Sequence, residues 1–151
     1  MSKLLKLIDQ LTLQIPNADR MNHDVSDANI GWHIEHSCLV IIKIAETIVK
    51  SDPNNYTTKF NFTKMMVFLK GKFPRGRAKA PKSVLPIENI TEQHLLESIA
   101  NAKMAIHEIK ECHKNKFFLH PIFGNLNVRN TLKFFSIHTN HHLSIIQDIL
   151  K

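Results

Sequence analysis

Residues 127–150 read NVRNTLKFFSIHTNHHLSIIQDIL, and apolar side chains recur along them with the spacing of a helix. Asn127 is a favourable N-cap for a helix that runs from about Val128 to Leu150. The stripe that we expect to face the core consists of Thr131, Phe135, His138, His142, Ile145 and Ile149. Two histidines therefore occupy core positions where leucine would pack more easily.

His138 and His142 are four residues apart, so on a helix they stand on one face, one turn above the other. Two buried imidazoles must find partners for their ring nitrogens, and a shared metal ion supplies such a partner. The spacing therefore predicts that both residues bind a metal. His141 lies further from the centre of the stripe, and we interpret it as a residue at the rim of the site that supports the ligands, or as a surface residue.

A third histidine ligand is expected from GWHIEH, residues 31–36, on an upstream helix. His33 falls near the middle of the apolar stripe of that helix, whereas His36 falls at its edge. A lone histidine on an apolar face is more often a core residue, but the pair on the last helix favours His33 as the third ligand. His36 is the alternative ligand or a residue at the rim, and Glu35 is expected to point away.

The chain is expected to be all-α: a four-helix bundle with a basic loop and a short extra helix between helices 2 and 3, forming one domain over residues 1–151. The other long helices are predicted at residues 2–14, at about 27–50 with Ser26 as N-cap, and at 91 to about 114. The short helix, residues 61–70, is predicted to turn Phe62, Met65, Met66 and Leu69 inward.

A connector rich in aromatic residues, 117–124, precedes the last helix. Its His120 either reaches the mouth of the site or packs on Phe117 and Phe118 as an ordinary loop residue. The remaining histidines fall in polar contexts, and we expect them at the surface: His23, His94, His107 and His113.

The basic loop, residues 70–82, reads KGKFPRGRAKAPK and holds six Lys or Arg and no acid. Without it the net charge of +7 falls to +1, so the basicity is local. Two interpretations stay open: a solvated positive loop, or an anion site in which Arg75 and Arg77 grip a carboxylate or phosphate of a small-molecule substrate. Nucleic acid is disfavoured as a partner, because the patch is small and only Phe73 offers stacking.

Composition predicts a packed globule, since 43% of the residues are hydrophobic. The two cysteines, Cys38 and Cys112, form no Cys-x-x-Cys pair, so free thiols in a reducing compartment are expected. No apolar run approaches the roughly 18 residues of a membrane span, and the N-terminus is too polar for a secretory signal. We therefore expect a cytoplasmic protein without a membrane partner.

GWHIEH and HTNHH, on the second and last helices, resemble the DinB-like superfamily of metal-binding four-helix bundles. PRGRAKAPK (residues 74–82), HPIFGNLN (120–127) and FFSIHTNHHLSIIQDI (134–149) resemble a branch known only as a domain of unknown function. The resemblance covers nearly the whole chain. It implies that His33, seven residues after a capping Ser26, binds a divalent metal together with His138 and His142.

The resemblance also implies an activity, because characterised relatives include transferases and isomerases that depend on a low-molecular-weight thiol, bacillithiol or mycothiol. Many members are dimers, so a homodimer is expected. The function expected here is a metal-dependent transferase or hydrolase. The alternative is a non-catalytic metal-binding or metal-free protein that acts in stress response or as a binding module.

Three neutral imidazoles leave a coordination position open, which is the pattern of catalytic rather than structural metal sites. Imidazole ligands bind several divalent metals and do not select one of them. Zinc or nickel is expected, with iron and manganese as alternatives. An ion of this kind would lower the pKa of a bound water or thiol. No residue beyond the ligands is assigned a catalytic role.

Overall fold

The structure, a computed structural model, describes residues 3–73, 84–86 and 90–151. Over these residues the chain is mostly helical, as predicted, and a two-stranded antiparallel sheet accompanies the helices. The elements are α1 (Lys3–Thr12), α2 (Ile30–Lys50), α3 (Phe62–Lys70), α4 (Glu92–Glu111), β1 (Phe117–His120), β2 (Gly124–Asn127) and α5 (Val128–Ile149). None of the helices in these ranges is long and apolar enough to cross a membrane.

Helix α5 begins at the predicted residue and ends within one residue of the predicted end. The side-chain oxygen of Asn127 accepts a hydrogen bond from the backbone N–H of Asn130, at 3.0 Å, which satisfies one of the free donors of the first turn. Phe135, at the centre of the predicted stripe, is fully buried. Most of the predicted stripe is therefore buried, and Leu143 and Ile146, which lie outside the stripe, are buried as well.

Helix α2 begins three residues later than predicted, and its N-cap is Asn29 rather than Ser26. The Asn29 side chain accepts the backbone N–H of Trp32 at 2.8 Å. Ser26 caps a preceding turn instead, where its hydroxyl accepts the N–H of Ala28 at 3.2 Å. The predicted cap was wrong because two good capping residues stand three apart, and local sequence does not rank them.

The loop before α2 fixes where this helix begins. The N–H of Ile30 donates to the carbonyl of Arg20 at 3.0 Å, and the N–H of Gly31 donates to the carbonyl of Ala18 at 2.8 Å. These two donors belong to the first turn, where no helical acceptor is available. The contact between loop and helix thus sets the start of α2 and holds the residues that follow.

The helices pack around one core. Helix α2 lies against both α4 and α5, and α1 lies against α5 and α4. Ile34 and Ile41 of α2 are almost completely buried, as are Leu95 and Ile109 of α4. Because α2 has neighbours on two sides, its residues facing α5 and its residues facing α4 are both removed from water.

The connector before α5 is a β-hairpin, which the sequence did not predict. Phe117 pairs with Asn127 and His120 pairs with Gly124. Gly124 begins the returning strand with φ of +69°, a left-handed conformation that glycine adopts without a steric penalty. The hairpin buries Phe118 and leaves Leu119 exposed, so its inner side faces the core next to α5.

Helix α3 confirms the predicted short helix but not its predicted inner face. Phe62 is 62% exposed and Leu69 is 79% exposed, whereas Val67 is buried. The packing side also includes Phe68, whose ring lies 6.0 Å from that of Phe123. The helix has apolar residues on both sides, and the stripe selected from the sequence is the one that faces outward.

Candidate metal centre

Three histidines from two helices converge between α2 and α5. One ring nitrogen from each of His36, His138 and His142 can be chosen so that all three atoms lie within 4.8 Å of one another. The ring centroids are 4.6 Å apart for His138 and His142 and 4.9 Å apart for His36 and His142. The described residues thus contain a three-histidine cluster that is close enough to hold a divalent ion.

The cluster is sheltered from solvent, and this keeps its imidazoles neutral. His36 is 4% exposed and His142 is 7% exposed, while His138 is half-buried. Burial lowers the pKa of His138 and of His142 well below the ordinary value, and the neighbouring histidines lower both further. Metal ligation requires the unprotonated imidazole, so the lowered pKa values of these side chains favour binding of an ion.

His36 has its ring orientation and its proton fixed by one hydrogen bond. Its Nδ1 lies 2.7 Å from the carbonyl oxygen of Val84. A carbonyl only accepts, so Nδ1 must carry the proton, and Nε2 keeps its lone pair. The pKa of His36 is lowered by burial, and this hydrogen bond opposes the shift in part. A histidine that donates one N–H to a carbonyl and offers the other nitrogen is the usual form of a metal ligand.

His33 lies directly behind His142. The Nδ1 atoms of the two residues are 3.0 Å apart, and His33 Nε2 lies 3.1 Å from the hydroxyl of Ser26. If His142 donates through Nδ1, His33 accepts there and donates its own Nε2 proton to Ser26. His142 then keeps a lone pair on Nε2, as His36 does. Burial lowers the pKa of His33 to about 4, with His36 and His141 contributing.

His138 carries a buried ring nitrogen for which the described residues offer no hydrogen-bond partner. This nitrogen, Nδ1, would need an acceptor if protonated or a donor if not, and a buried polar atom without either costs roughly 1–3 kcal/mol. A metal ion bound there would supply the missing partner. The unpaired nitrogen therefore fits the ligand role that the sequence assigns to His138.

Trp32 packs beside the cluster and restricts the ring of His36. The two rings are stacked, with centroids 4.8 Å apart and planes 14° apart. Phe134 contacts the other side of the cluster, with its ring centroid 5.7 Å from that of His138. The three histidines thus lie in an aromatic environment that excludes water and limits their rotamers.

The third histidine of the cluster differs from the one that the sequence favoured. His36 is the third member of the cluster. His33 lies outside the cluster and hydrogen-bonds to His142 and to Ser26. The two residues are three apart on α2, so they lie only about 60° apart around the helix axis. A stripe drawn from apolar positions does not resolve that difference.

His120 lies near the cluster but is not presented as a ligand. Its Nδ1 accepts the backbone N–H groups of Ile122 and Phe123, at 3.1 and 3.2 Å, so the proton must sit on Nε2. The ring stacks on Phe123 with centroids 4.4 Å apart. Burial lowers its pKa to about 4. His120 is therefore a neutral N–H donor within an aromatic group at this end of α5.

His141 borders a pocket next to the cluster. The pocket has a volume of about 210 Å³, and Phe73, Ile137 and Ser144 are among the residues that line it. The ring of Phe73 lies 5.8 Å from that of His141 and 6.3 Å from that of His138. Phe73 and His141 thus stand between this pocket and the three-histidine cluster.

A buried acid on α2 was assigned no partner from the sequence. Glu35 is 2% exposed, and its Oε1 lies 3.0 Å from Nε2 of His94 on α4, without hydrogen-bonding geometry. Oε2 of Glu35 is buried and has no hydrogen-bond partner in the described ranges. His94, expected at the surface, is partly buried and directs its Nε2 toward this carboxylate. No local pattern predicts the contact, because it joins helices about sixty residues apart.

Arg75 and Arg77, the expected anion-binding residues, lie outside the described residues, as does most of the basic loop. Comparison of the chain with protein-family models, with curated proteins and with solved structures finds no match in any of the three. The DinB-like resemblance therefore stays a prediction from the motifs. The case for a function depends on the geometry of the histidines.

Proposed function

We propose that this protein is a metal-dependent enzyme, a transferase or hydrolase, whose divalent ion is held by His36, His138 and His142. The observation that carries the proposal is the convergence of three ring nitrogens within 4.8 Å. It is supported by the hydrogen bond that leaves His36 Nε2 free and by the unpaired Nδ1 of His138. His36 and His138 thus each have a ring nitrogen available to an ion.

Three imidazoles would hold the ion and would leave a coordination position for water or a thiol. A divalent ion supplies Lewis-acid chemistry, which lowers the pKa of a bound water or thiol. The chain itself would hold the ligand tautomers through Val84 and His33, and would exclude water with Trp32 and Phe134. Zinc or nickel suits the all-imidazole set, and a low-molecular-weight thiol is the proposed co-substrate.

Membership of the DinB-like superfamily is part of this proposal. It rests on the motifs around His33, His138 and His142, and the mutual packing of α1, α2, α4 and α5 is compatible with the four-helix arrangement of that superfamily. Dimer formation, which the resemblance implies, would follow from the same assignment.

A second function is favoured by the burial of the cluster. With His36 and His142 almost fully buried, the ion could instead stabilise the fold without taking part in a reaction. The two functions differ in whether the fourth coordination position is open to an added ligand. A structural ion would bind with the same three histidines but would not respond to a thiol.

Two measurements test the proposal. Metal content after loading with zinc is compared between wild type, His36→Ala, His138→Ala and His142→Ala, with His107→Ala as control because His107 is exposed on α4. We expect about one ion per chain in wild type and control and a loss in the other three variants. Equal content in all five would exclude the ligand assignment.

The second measurement asks whether the site is open. The protein is loaded with cobalt(II), and its visible spectrum is recorded while a small thiol such as cysteamine is added. A new sulfur-to-metal charge-transfer band is expected for the enzyme, and an unchanged spectrum for a structural ion. Because the cobalt spectrum also reports binding itself, failure of the ligand assignment and closure of the site are distinguished.

A further inference from the structure

An exposed apolar surface lies on α3 and on the outer side of the β-hairpin. We refer to it as the α3–hairpin face. It consists of six large side chains that are between 44% and 82% exposed: Phe60, Phe62, Met65, Leu69, Leu119 and Ile122. Single exposed apolar residues are ordinary on a protein surface, but a contiguous group marks a place where something binds.

The part of this face on α3 is one stripe of a helix. Phe62, Met65 and Leu69 recur at intervals of three and four, so they stand on the same side. The opposite side of α3 packs inward through Val67 and Phe68. The helix is thus held to the domain by one side and presents its other apolar side to the surroundings.

Two hydrogen bonds join the hairpin to the segment that leads into α3. The side-chain amide of Asn61 donates to the carbonyl of Ile122 at 2.8 Å, and that of Asn125 donates to the carbonyl of Thr57 at 3.0 Å. Asn125 is the cross-strand partner of Leu119. The stretch before α3 therefore runs beside the outer side of the hairpin, and this brings the exposed side chains of the two elements to the same side of the domain.

Acidic residues are absent from the chain segments that contain this face. Residues 53–73 and 112–147 contain eight of the 20 Lys and Arg residues and none of the 13 Asp and Glu residues. Lys70 and Lys72, both exposed, follow the stripe of α3 directly. On α5, Arg129 and Lys133 line a pocket of about 320 Å³ beside Phe68. An exposed apolar surface in a part of the chain that carries cations and no acids is complementary to an anionic, partly apolar partner.

We propose that the α3–hairpin face binds the surface of an anionic phospholipid membrane. A basic segment that presents aromatic and aliphatic side chains on one side is suited to lie in the interface, with its apolar residues among the acyl chains and its lysines at the headgroups. The expectation of no membrane partner rested on the lack of an apolar run, and surface binding requires none. This inference is independent of the metal centre.

Two other occupants fit the face less well. A second copy of the chain in a two-fold symmetric contact would bring the same lysines against one another, with no acids to compensate. Nucleic acid would match the charge, but four of the six exposed side chains are not aromatic: Met65, Leu69, Leu119 and Ile122. Such side chains do not stack on bases, although they partition well into hydrocarbon.

Co-sedimentation with vesicles tests the proposal on the full chain. One set of vesicles is phosphatidylcholine alone, and the other is phosphatidylcholine mixed in equal parts with phosphatidylglycerol. We expect sedimentation with the mixed vesicles only, decreasing as salt is raised because surface charges are screened. Phe62→Ser combined with Leu69→Ser should weaken binding about tenfold or more, since two apolar anchors are lost. Lys70→Glu combined with Lys72→Glu should weaken it as well.

The matched control is Leu13→Ser combined with Met104→Ser. These residues are 71% and 70% exposed on other parts of the surface, so the control removes comparable apolar area outside the face. Far-UV circular dichroism and thermal unfolding should be unchanged in every double variant, because all the altered side chains are exposed.

Several outcomes would overturn the proposal. These are equal sedimentation with neutral vesicles, an unchanged affinity in the Phe62→Ser, Leu69→Ser variant, or an equal loss in the control variant. A dimer in light scattering that this variant dissociates, without vesicle binding by wild type, would assign the face to a second copy. Binding of a single-stranded oligonucleotide, again without vesicle binding, would assign it to nucleic acid.

Discussion

His33 and His142 hydrogen-bond through their Nδ1 atoms, 3.0 Å apart, across the boundary between α2 and α5. The other nitrogen of His33 is engaged by Ser26. His36, by contrast, uses only its Nδ1, in the bond to Val84. Of the two histidines on α2, His36 is therefore the one with a ring nitrogen left for an ion, and His33 is placed to fix the tautomer of a ligand.

This relationship predicts unequal effects of two substitutions on metal affinity. His36→Ala removes a ligand and should abolish stoichiometric binding. His33→Ala removes a hydrogen bond to a ligand and should weaken binding about 10–100-fold, the usual effect of losing such a partner. Competition with a chromophoric chelator at pH 7 measures both affinities. The reverse order would show that His33, the choice made from the sequence, is the ligand.

The limits of the sequence are clearest at these two histidines. The spacing of His138 and His142 is local information, and a single helix is enough to bring them together. The choice between His33 and His36 depends on the rotation of α2 against α5 and on a hydrogen bond to Val84, 48 residues away. Neither of these tertiary features can be predicted from the pattern of apolar residues.

Helix α3 shows the same limit of prediction from the pattern of apolar residues. Its predicted bounds, residues 61–70, agree almost to the residue with the structure, in which Asn61 is the N-cap and the left-handed Gly71 follows the last turn. The hydrophobic stripe was also found, but a stripe indicates that apolar residues share a face and not that the face meets the core. Phe62 and Leu69 are therefore exposed although the pattern alone would bury them.

The low pKa values of the histidines predict that the metal-free protein loses stability in mild acid. Burial lowers the pKa of His33 and of His120 to about 4 from an ordinary 6.5. Below pH 6.5 the unfolded chain takes up protons that the folded chain does not, so the free energy of unfolding decreases. Stability should be full above pH 6.5 and fall as the pH decreases through 4, as measured by urea unfolding at a series of pH values.

His120→Phe provides the control for this pH dependence. Phenylalanine can keep the stacking on Phe123 but does not titrate, and it cannot accept the two backbone N–H groups. The variant should be less stable at pH 7 and lose less stability between pH 6.5 and 4 than wild type does. An identical slope in the two proteins would mean that His120 does not contribute to the acid sensitivity.

Asn29→Ala should destabilise the start of α2. The substitution removes the acceptor for the N–H of Trp32, and loss of such a cap costs about 1 kcal/mol. Asn29→Ser keeps a side-chain oxygen at the same position and should restore most of the stability. Urea unfolding of the three proteins measures the difference, and equal losses for alanine and serine would contradict the capping role.

The buried carboxylate of Glu35 predicts that His94 matters for stability although it lies partly at the surface. His94→Ala leaves Glu35 without the imidazole 3.0 Å from its Oε1, while its Oε2 already lacks a hydrogen-bond partner in the described part of the chain. A loss of about 1–3 kcal/mol is expected, the cost of a buried polar group without a partner. His107→Ala, on the exposed side of the same helix, should change the free energy of unfolding by less than about 0.5 kcal/mol.

A second variant separates loss of charge compensation from loss of packing at His94. In the His94→Ala background, Glu35→Gln removes the negative charge but keeps the shape of the side chain, so it should recover part of the lost stability. If the destabilisation came only from the missing imidazole ring, the double variant would be no more stable than His94→Ala. Glu35 lies between His33 and His36 in the sequence of α2. Recovery of stability in the double variant would therefore also indicate that the contact with His94 stabilises the helix that carries the candidate ligand.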